Sequence, residues 1–301
     1  WMGWWPALWL AGWLDNKRWT SGSRAHCYPQ GKRIPFERTE KNARRNAPQN
    51  VIPIIVPKEN KTTKCGAFPR TENGRTKKMK ILCLIPARKN SLRLPNKNFL
   101  NLNKKPLVEW TIILSSKIKY FDKIVVSSDD DKILRLKKKY PKIYFLKRPK
   151  KISNSNTKME SVIKHTLKEY EKNGENFDAI TILQPTSPLR KIKTIIHAIK
   201  KFKKYKPSYL TSISKMNHNQ NPKMLFKINN KNILNRLSVP IIKNNKNNHY
   251  YCLDGGVIFI FRVPNKKYIL KGTASFIEVK FPENIDIDNN EDFLLAKKFF
   301  K

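Results

Sequence analysis

From Ile81 onward the chain alternates short apolar runs with segments of helical period, and this alternation narrows the possible folds more than any other feature. Ile81 to Pro86 is an apolar run suited to a buried strand. Leu107 to Ile118 places apolar residues at helical spacing after Pro106, a residue that a first helical turn tolerates. The same reading predicts further strands over Lys123–Ser127, Ile143–Leu146 and Ala179–Leu183. It predicts helices over Asp130–Lys139, Thr157–Glu171 and Ile192–Lys204. Strands joined through helices need right-handed crossovers, so the expected fold is α/β, with a mainly parallel sheet covered on both faces. Ligands of such sheets bind beyond the carboxyl ends of the strands, which directs attention to the loops there.

The first 78 residues have a different character. Trp1, Trp4, Trp5, Trp9, Trp13 and Trp19 are six of the seven tryptophans, and only Trp110 lies beyond them. Trp1 to Leu14 is apolar but shorter than the roughly 20 residues that a bilayer span requires, so no membrane span is expected. No sustained period runs from Asp15 to Lys78. The expectation is an atypical, disordered N-terminal extension over residues 1–78, with the functional chain beginning at Met79 and one domain over 79–301.

The formal charge of +41 invites a nucleic-acid partner, because Lys and Arg displace counterions from a phosphate backbone. Most of the basic residues are lysines spread along amphipathic segments, such as Lys200, Lys201, Lys203 and Lys204, which suit a solvated helix face. Nucleic acid is therefore not the expected main ligand. Cys27, Cys65, Cys83 and Cys252 form no Cys-x-x-Cys pair and have no His at metal-ligand spacing, so reduced thiols in a cytoplasmic protein are expected.

Three segments carry candidate chemistry. Ile85-Pro86-Ala87-Arg88-Lys89-Asn90-Ser91-Leu92-Arg93-Leu94-Pro95-Asn96-Lys97-Asn98 leaves the first strand as a polar loop with four cations. Such a loop suits a triphosphate, since the cations neutralise phosphate oxygens while loop amides donate to them. It is neither a Walker A loop nor a dinucleotide fingerprint, because it contains no glycine. Leu183-Gln184-Pro185-Thr186-Ser187-Pro188-Leu189-Arg190 follows the fourth strand as a proline-stiffened turn. It is expected to present an amide, two hydroxyls and a guanidinium at the sheet's edge. In Ile285-Asp286-Ile287-Asp288 the period of two puts both carboxylates on one side of an extended segment, within reach of one divalent cation. Asp288 also suits the N-cap of a helix over Asn289–Phe300, with Glu291 completing a capping box.

The loop motif Ile-Pro-Ala-Arg-x-x-Ser-x-Arg-Leu-Pro-x-Lys-Asn resembles the signature loop of the acylneuraminate cytidylyltransferases. Ser127-Ser128-Asp129, Arg148-Pro149 with Ser153–Thr157, Leu-Gln-Pro-Thr-Ser-Pro-Leu-Arg, Asp254-Gly255-Gly256 and Asp-Ile-Asp follow in that family's order. Leu92 stands where a Lys commonly follows the Ser, and the resemblance implies either that the neighbouring Arg93 takes over its role or that the activity is weakened. Ser155 stands where the family usually has Asp. The resemblance implies a Rossmann-like nucleotidyltransferase fold with a small dimerisation insertion at about 209–251, a homodimer, and transfer of CMP from CTP to an acidic nine-carbon sugar. It implies nucleotide contacts at Ala87, Arg88, Asn90, Ser91, Asn98, Ser155, Asn156 and Thr157. Arg88, Arg93 and Lys97 would act on the phosphates, Gln184, Ser187 and Gly255 on the acceptor, and Asp286 and Asp288 on Mg²⁺. Two other readings of the same scaffold are a basic nucleic-acid-binding protein and an inactive, sugar-binding relative.

Overall fold

A computed structural model of the 301-residue chain describes residues 78–91, 93–217, 226–228, 234–236, 250–263 and 272–300. The opening strand β1 (Ile81–Pro86) leads through a short hairpin, β2 (Asn101–Leu102) and β3 (Lys105–Pro106), into helix α1 (Leu107–Ser116). Then come β4 (Lys123–Ser128), a single turn α2 (Asp131–Leu134), β5 (Tyr144–Lys147), α3 (Met159–Glu171), β6 (Ala179–Ile182) and α4 (Ile192–Tyr205). The remainder comprises β7 (Tyr209–Lys215), the paired strands β8 (Phe226–Ile228) and β9 (Leu234–Arg236), β10 (Tyr251–Leu253), β11 (Phe259–Arg262), β12 (Ala274–Glu278) and α5 (Asn290–Phe299).

The main sheet runs β10-β7-β11-β6-β1-β4-β5, with β12 alongside β7. β6, β1, β4 and β5 are mutually parallel, and β12 is parallel to β7, while β11 runs antiparallel between β6 and β7. The pattern is the mainly parallel sheet expected from the alternation of elements. Because β11 is reversed, Phe259 at its start sits beside Ile182 at the end of β6. The loop that enters β11 and the loop that leaves β6 therefore share one edge of the sheet.

Alternation along β1 fills two cores. Ile81, Cys83 and Ile85 pack with Val108 and Ile112 of α1 and Ile195, Ile199 and Phe202 of α4. Leu82 and Leu84 pack on the other face with Val162, Ile163 and Leu167 of α3. Burial of Ile195, Ala198, Ile199 and Phe202 traces a single helical stripe, leaving Lys193, Lys200 and Lys204 exposed, while Lys201 and Lys203 are half-buried and the Lys201 Nζ donates to the Phe276 carbonyl at 2.8 Å. A third cluster of Leu102, Leu107, Ile285, Ile287 and Ala296 lies beneath the C-terminal acidic segment. No helix among the described residues is long and apolar enough to cross a membrane.

Two local expectations are corrected. The helix predicted over Asp130–Lys139 is one α turn followed by a 3₁₀ turn over Arg135–Lys138. Only Ile133 of these eight residues is buried, so little packing holds a regular helix together against its own crowded cations. The segment 209–251 begins and ends inside the main sheet, since β10 pairs antiparallel with β7. Of the predicted insertion, β8 and β9 form a separate hairpin, and His218 and His249 fall outside the described residues.

Phe202 is fully buried between α4 and the sheet. Phe202→Ala is expected to cost about 3–5 kcal/mol, read as a lower midpoint at unchanged slope in urea unfolding.

Candidate active site

The loop after β1 is tied down at several points along its length. The Ala87 N–H donates to the Ser127 carbonyl at 2.9 Å, continuing the β1–β4 ladder one residue past the strand. The Lys89 N–H donates to Asp129 Oδ1 at 2.9 Å. Asn98 is buried and its side-chain amide donates to the Arg88 carbonyl at 2.9 Å, so it straps the far end of the loop back to its beginning. Asn96 takes a left-handed conformation, with φ of 54°, as the chain turns into Lys97–Phe99. Asn90 is exposed and Ser91 half-buried, and Leu92 lies outside the described residues.

Across from this loop, the Arg88 guanidinium donates to the Asn154 carbonyl at 3.4 Å, and Thr157 Oγ1 donates to Asn154 Oδ1 at 2.8 Å. Ser155 and Asn156 are exposed beside them, 3.5 Å apart through Oγ and Oδ1. Beneath lies Arg148, buried, with its guanidinium donating to Ser127 Oγ at 3.2 Å and to the Ser127 carbonyl at 2.8 Å. Burial lowers its pKa to about 10, Asp129 opposes that shift and Arg88 adds to it, and the group remains cationic at neutral pH. Arg88 and Arg148 thus build a positive field at the carboxyl ends of β4 and β5, where an anion would sit.

The acidic segment reaches the same place from the other end of the chain. Ile285 and Ile287 are buried in the third core cluster, and the period of two turns Asp286 and Asp288 the other way. Asp288 accepts a hydrogen bond from Lys97 Nζ at 2.9 Å through one oxygen and pairs with Arg93 at 3.0 Å through the other. Residues 191 positions apart thereby form one cluster. Asp288 does not cap the following helix. Asn289 is the N-cap, its side chain accepting from the Asp292 N–H while the Asp292 carboxylate accepts from the Asn289 N–H. The capping box is shifted by one residue from the expected one, which leaves the Asp288 carboxylate free for the cations.

Asp286 meets the turn after β6. Ser187 Oγ lies 3.5 Å from Asp286 Oδ1, and the Ile287 N–H donates to the Thr186 carbonyl at 2.8 Å. Gly255 and Gly256, with φ of 76° and 135°, approach too closely to carry side chains. A Cβ on Gly255 would collide with the Asp286 carboxylate, and one on Gly256 would lie 2.7 Å from Gln184 Nε2. Gln184, Ser187, Gly255 and Asp286 are therefore neighbours. Asp254, fully buried, organises the glycine turn by accepting from Ser212 Oγ at 2.7 Å and from the Gly256 and Val257 amides.

Three residues stand in the motifs singled out above, but the structure gives each a role that its motif did not. Asp254 and Arg148 are buried supports behind exposed groups, and motif reading favours exposed polar residues. Arg190, expected to present its guanidinium at the edge, is instead buried and points inward to the Gln184 and Ser187 carbonyls.

The donor set suits a hard divalent cation. Burial pushes the Asp286 carboxyl up to about 6, and the Asp288 charge adds to this, against Thr186, Lys97 and Arg190. A carboxylate held in such a place gains from a nearby cation. No cluster of three or more His, Cys, Asp or Glu side chains is placed to hold a metal ion among the described residues. Two carboxylates with phosphates and water completing the shell is the usual way in which Mg²⁺ binds.

Taken together, the sheet and the cluster at its carboxyl edge define a nucleotidyltransferase-type α/β fold. The sequence profile of the cytidylyltransferase family matches residues 82–298, and the chain belongs to that family. It is similar to the N-acylneuraminate cytidylyltransferase of Escherichia coli O18:K1:H7, at 30% identity over 223 residues, which is 72% of this chain and 51% of that protein. The chain thus spans about half the length of this relative. It is 28% identical over 238 residues to the CMP-N,N'-diacetyllegionaminic acid synthase of Legionella pneumophila, covering 74% of this chain and 97% of that one. In fold it is similar to a solved CMP:2-keto-3-deoxy-manno-octonic acid synthetase in complex with CTP, with a TM-score of 0.54 at 14% identity, covering 73% of this chain and 97% of the other.

The raised Asp286 pKa carries a stability signature. Without divalent cation, the folded state holds this proton up to about pH 6, whereas the unfolded chain releases it near ~3.9. Stability from this group is complete below the lower value and is lost as pH rises through the higher one. Asp286→Asn is expected to melt several degrees above the wild type at pH 8 in chelator, with the gap closing toward pH 4. Melting curves at both pH values check this, and a pH-independent gap contradicts it.

Proposed function

We propose that this chain transfers CMP from CTP to an acidic nine-carbon sugar, a sialic acid or a relative, and releases pyrophosphate. The observation that supports the reading most is the meeting of Lys97 and Arg93 with the Asp288 carboxylate, where cations that would neutralise phosphates and a carboxylate that would hold a metal lie together. Relatives named for N-acylneuraminate and for N,N'-diacetyllegionaminic acid support a nonulosonic acid as acceptor.

In this reading the acceptor's anomeric hydroxyl oxygen forms a bond to the α-phosphorus of CTP while the bond from that phosphorus to the bridging oxygen breaks. Pyrophosphate leaves with the electron pair, and the hydroxyl proton passes to solvent. Arg88, helped by Arg93 and Lys97, neutralises the β- and γ-phosphates, and these cations stabilise the charge that moves onto the leaving group. Ala87, Asn90, Ser91, Asn98, Ser155, Asn156 and Thr157 form the nucleotide side. Asn98 acts there through the Arg88 carbonyl that it holds. Gln184, Ser187 and Gly255 form the acceptor side. Asp286 and Asp288 would hold Mg²⁺, which when bound supplies a Lewis acid for the phosphate oxygens. A homodimer in the cytoplasm belongs to the same reading, on the strength of the family resemblance.

The test is pyrophosphate release with CTP, Mg²⁺ and a panel of sialic, legionaminic and pseudaminic acids. Asp288→Ala is expected to keep the fold and to lower the rate by about 10²-fold or more. Wild-type turnover in the variant would remove the metal assignment. Tight, steeply salt-dependent polynucleotide binding without turnover would favour a nucleic-acid-binding protein instead.

A further inference from the structure

We propose that Arg190 is the positioning residue of the acceptor side: its buried fork holds the Gln184–Ser187 turn in shape, and the turn holds the acidic segment. The inference rests on the function proposed above for the role of that turn.

Arg190 is only 4% exposed, at the foot of the turn. Its Nε donates to the Ser187 carbonyl at 2.9 Å and one terminal nitrogen donates to the Gln184 carbonyl. The two acceptors lie three residues apart and bracket Pro185-Thr186, so a single planar group fixes both ends of the turn. The Thr186 carbonyl in the middle then accepts from the Ile287 N–H at 2.8 Å, between the two aspartates, and Ser187 Oγ faces Asp286. Gln184, for its part, packs directly against Gly256. A continuous path runs from the guanidinium through the turn to the acidic segment and to the glycine loop.

A buried guanidinium is costly unless its surroundings compensate for it. No carboxylate forms a salt bridge with Arg190 among the described residues, although the charges of Asp286, Asp254 and Glu283 all favour its cationic form. Its second terminal nitrogen is buried without a hydrogen-bond partner in the described structure. A group kept at that cost for backbone carbonyls alone suits a geometric task. Lysine would not replace it, because one ammonium cannot reproduce a planar two-point fork.

The experiment compares Arg190→Met and Arg190→Lys with the wild type by steady-state kinetics and by amide hydrogen exchange. Misplacement of a reacting group by about 1 Å costs roughly 10²-fold. Both variants are therefore expected to lose about that factor in kcat/KM for the acceptor acid, while KM for CTP stays within about twofold. Both are also expected to exchange faster over residues 284–288, with residues 81–86 still protected. Should Arg190→Met lose protection everywhere, Arg190→Lys decides by the same two readings. Lowered melting temperature with unchanged kcat/KM for the acceptor and unchanged exchange over 284–288 would overturn the proposal. If the wild type itself turns over no acceptor, the proposed function fails. Exchange over 284–288 then decides alone whether Arg190 positions the acidic segment, faster exchange supporting it and unchanged exchange overturning it.

Discussion

The carboxylate of Asp288, held by Lys97 on one oxygen and Arg93 on the other, is the contact on which the arrangement of the candidate site depends. It joins the loop that leaves the first strand to the segment that precedes the last helix. Lys97 is largely shielded, and Asp288 is about four-fifths so, with its side chain 19% exposed. Arg93 is half exposed, and its share of the attraction is correspondingly screened. The value of these pairs for stability is therefore modest. Their consequence is positional: two groups of opposite sign, which the proposed function assigns to a nucleoside triphosphate and its metal, are held at one edge of the sheet.

That placement follows from how the sheet is built. Parallel strands β6, β1, β4 and β5 deliver their loops to a common edge, and the reversed strand β11 brings the Asp254-Gly255-Gly256 turn there as well. The acidic segment adds its own logic. Ile285 and Ile287 are drawn into an apolar cluster with Leu102 and Leu107, and the extended backbone then leaves the two aspartates no direction but the opposite one. Hydrophobic burial sets the aim of the charged groups.

Much of this was legible beforehand. The apolar run Ile81–Pro86, the strands after it and the helices α1, α3 and α4 were visible because burial imposes a period on each, and their limits shift by no more than two residues. The joint order of the loop motifs was visible too, and the match of the cytidylyltransferase family to residues 82–298 bears out that resemblance. What could not be read depends on direction in space. Asp288 and Asn289 are adjacent and both suit a cap, and only the folded chain shows that Asn289 caps while Asp288 turns toward Lys97. Arg190 looks like a ligand contact in its motif, yet it faces two backbone carbonyls behind the turn. Arg148 and Asp254 stand in recognisable motifs, but their roles as buried supports are set by Ser127 and Ser212, which lie far away in the chain.

The most direct test of a single shared site is a crystal structure of the chain soaked with CTP and Mn²⁺, with the metal located by its anomalous scattering. One strong peak is expected beside Asp286 and Asp288, with the triphosphate against Arg88 and Lys97. A nucleotide bound elsewhere, or a metal peak remote from both aspartates, would contradict the single shared site.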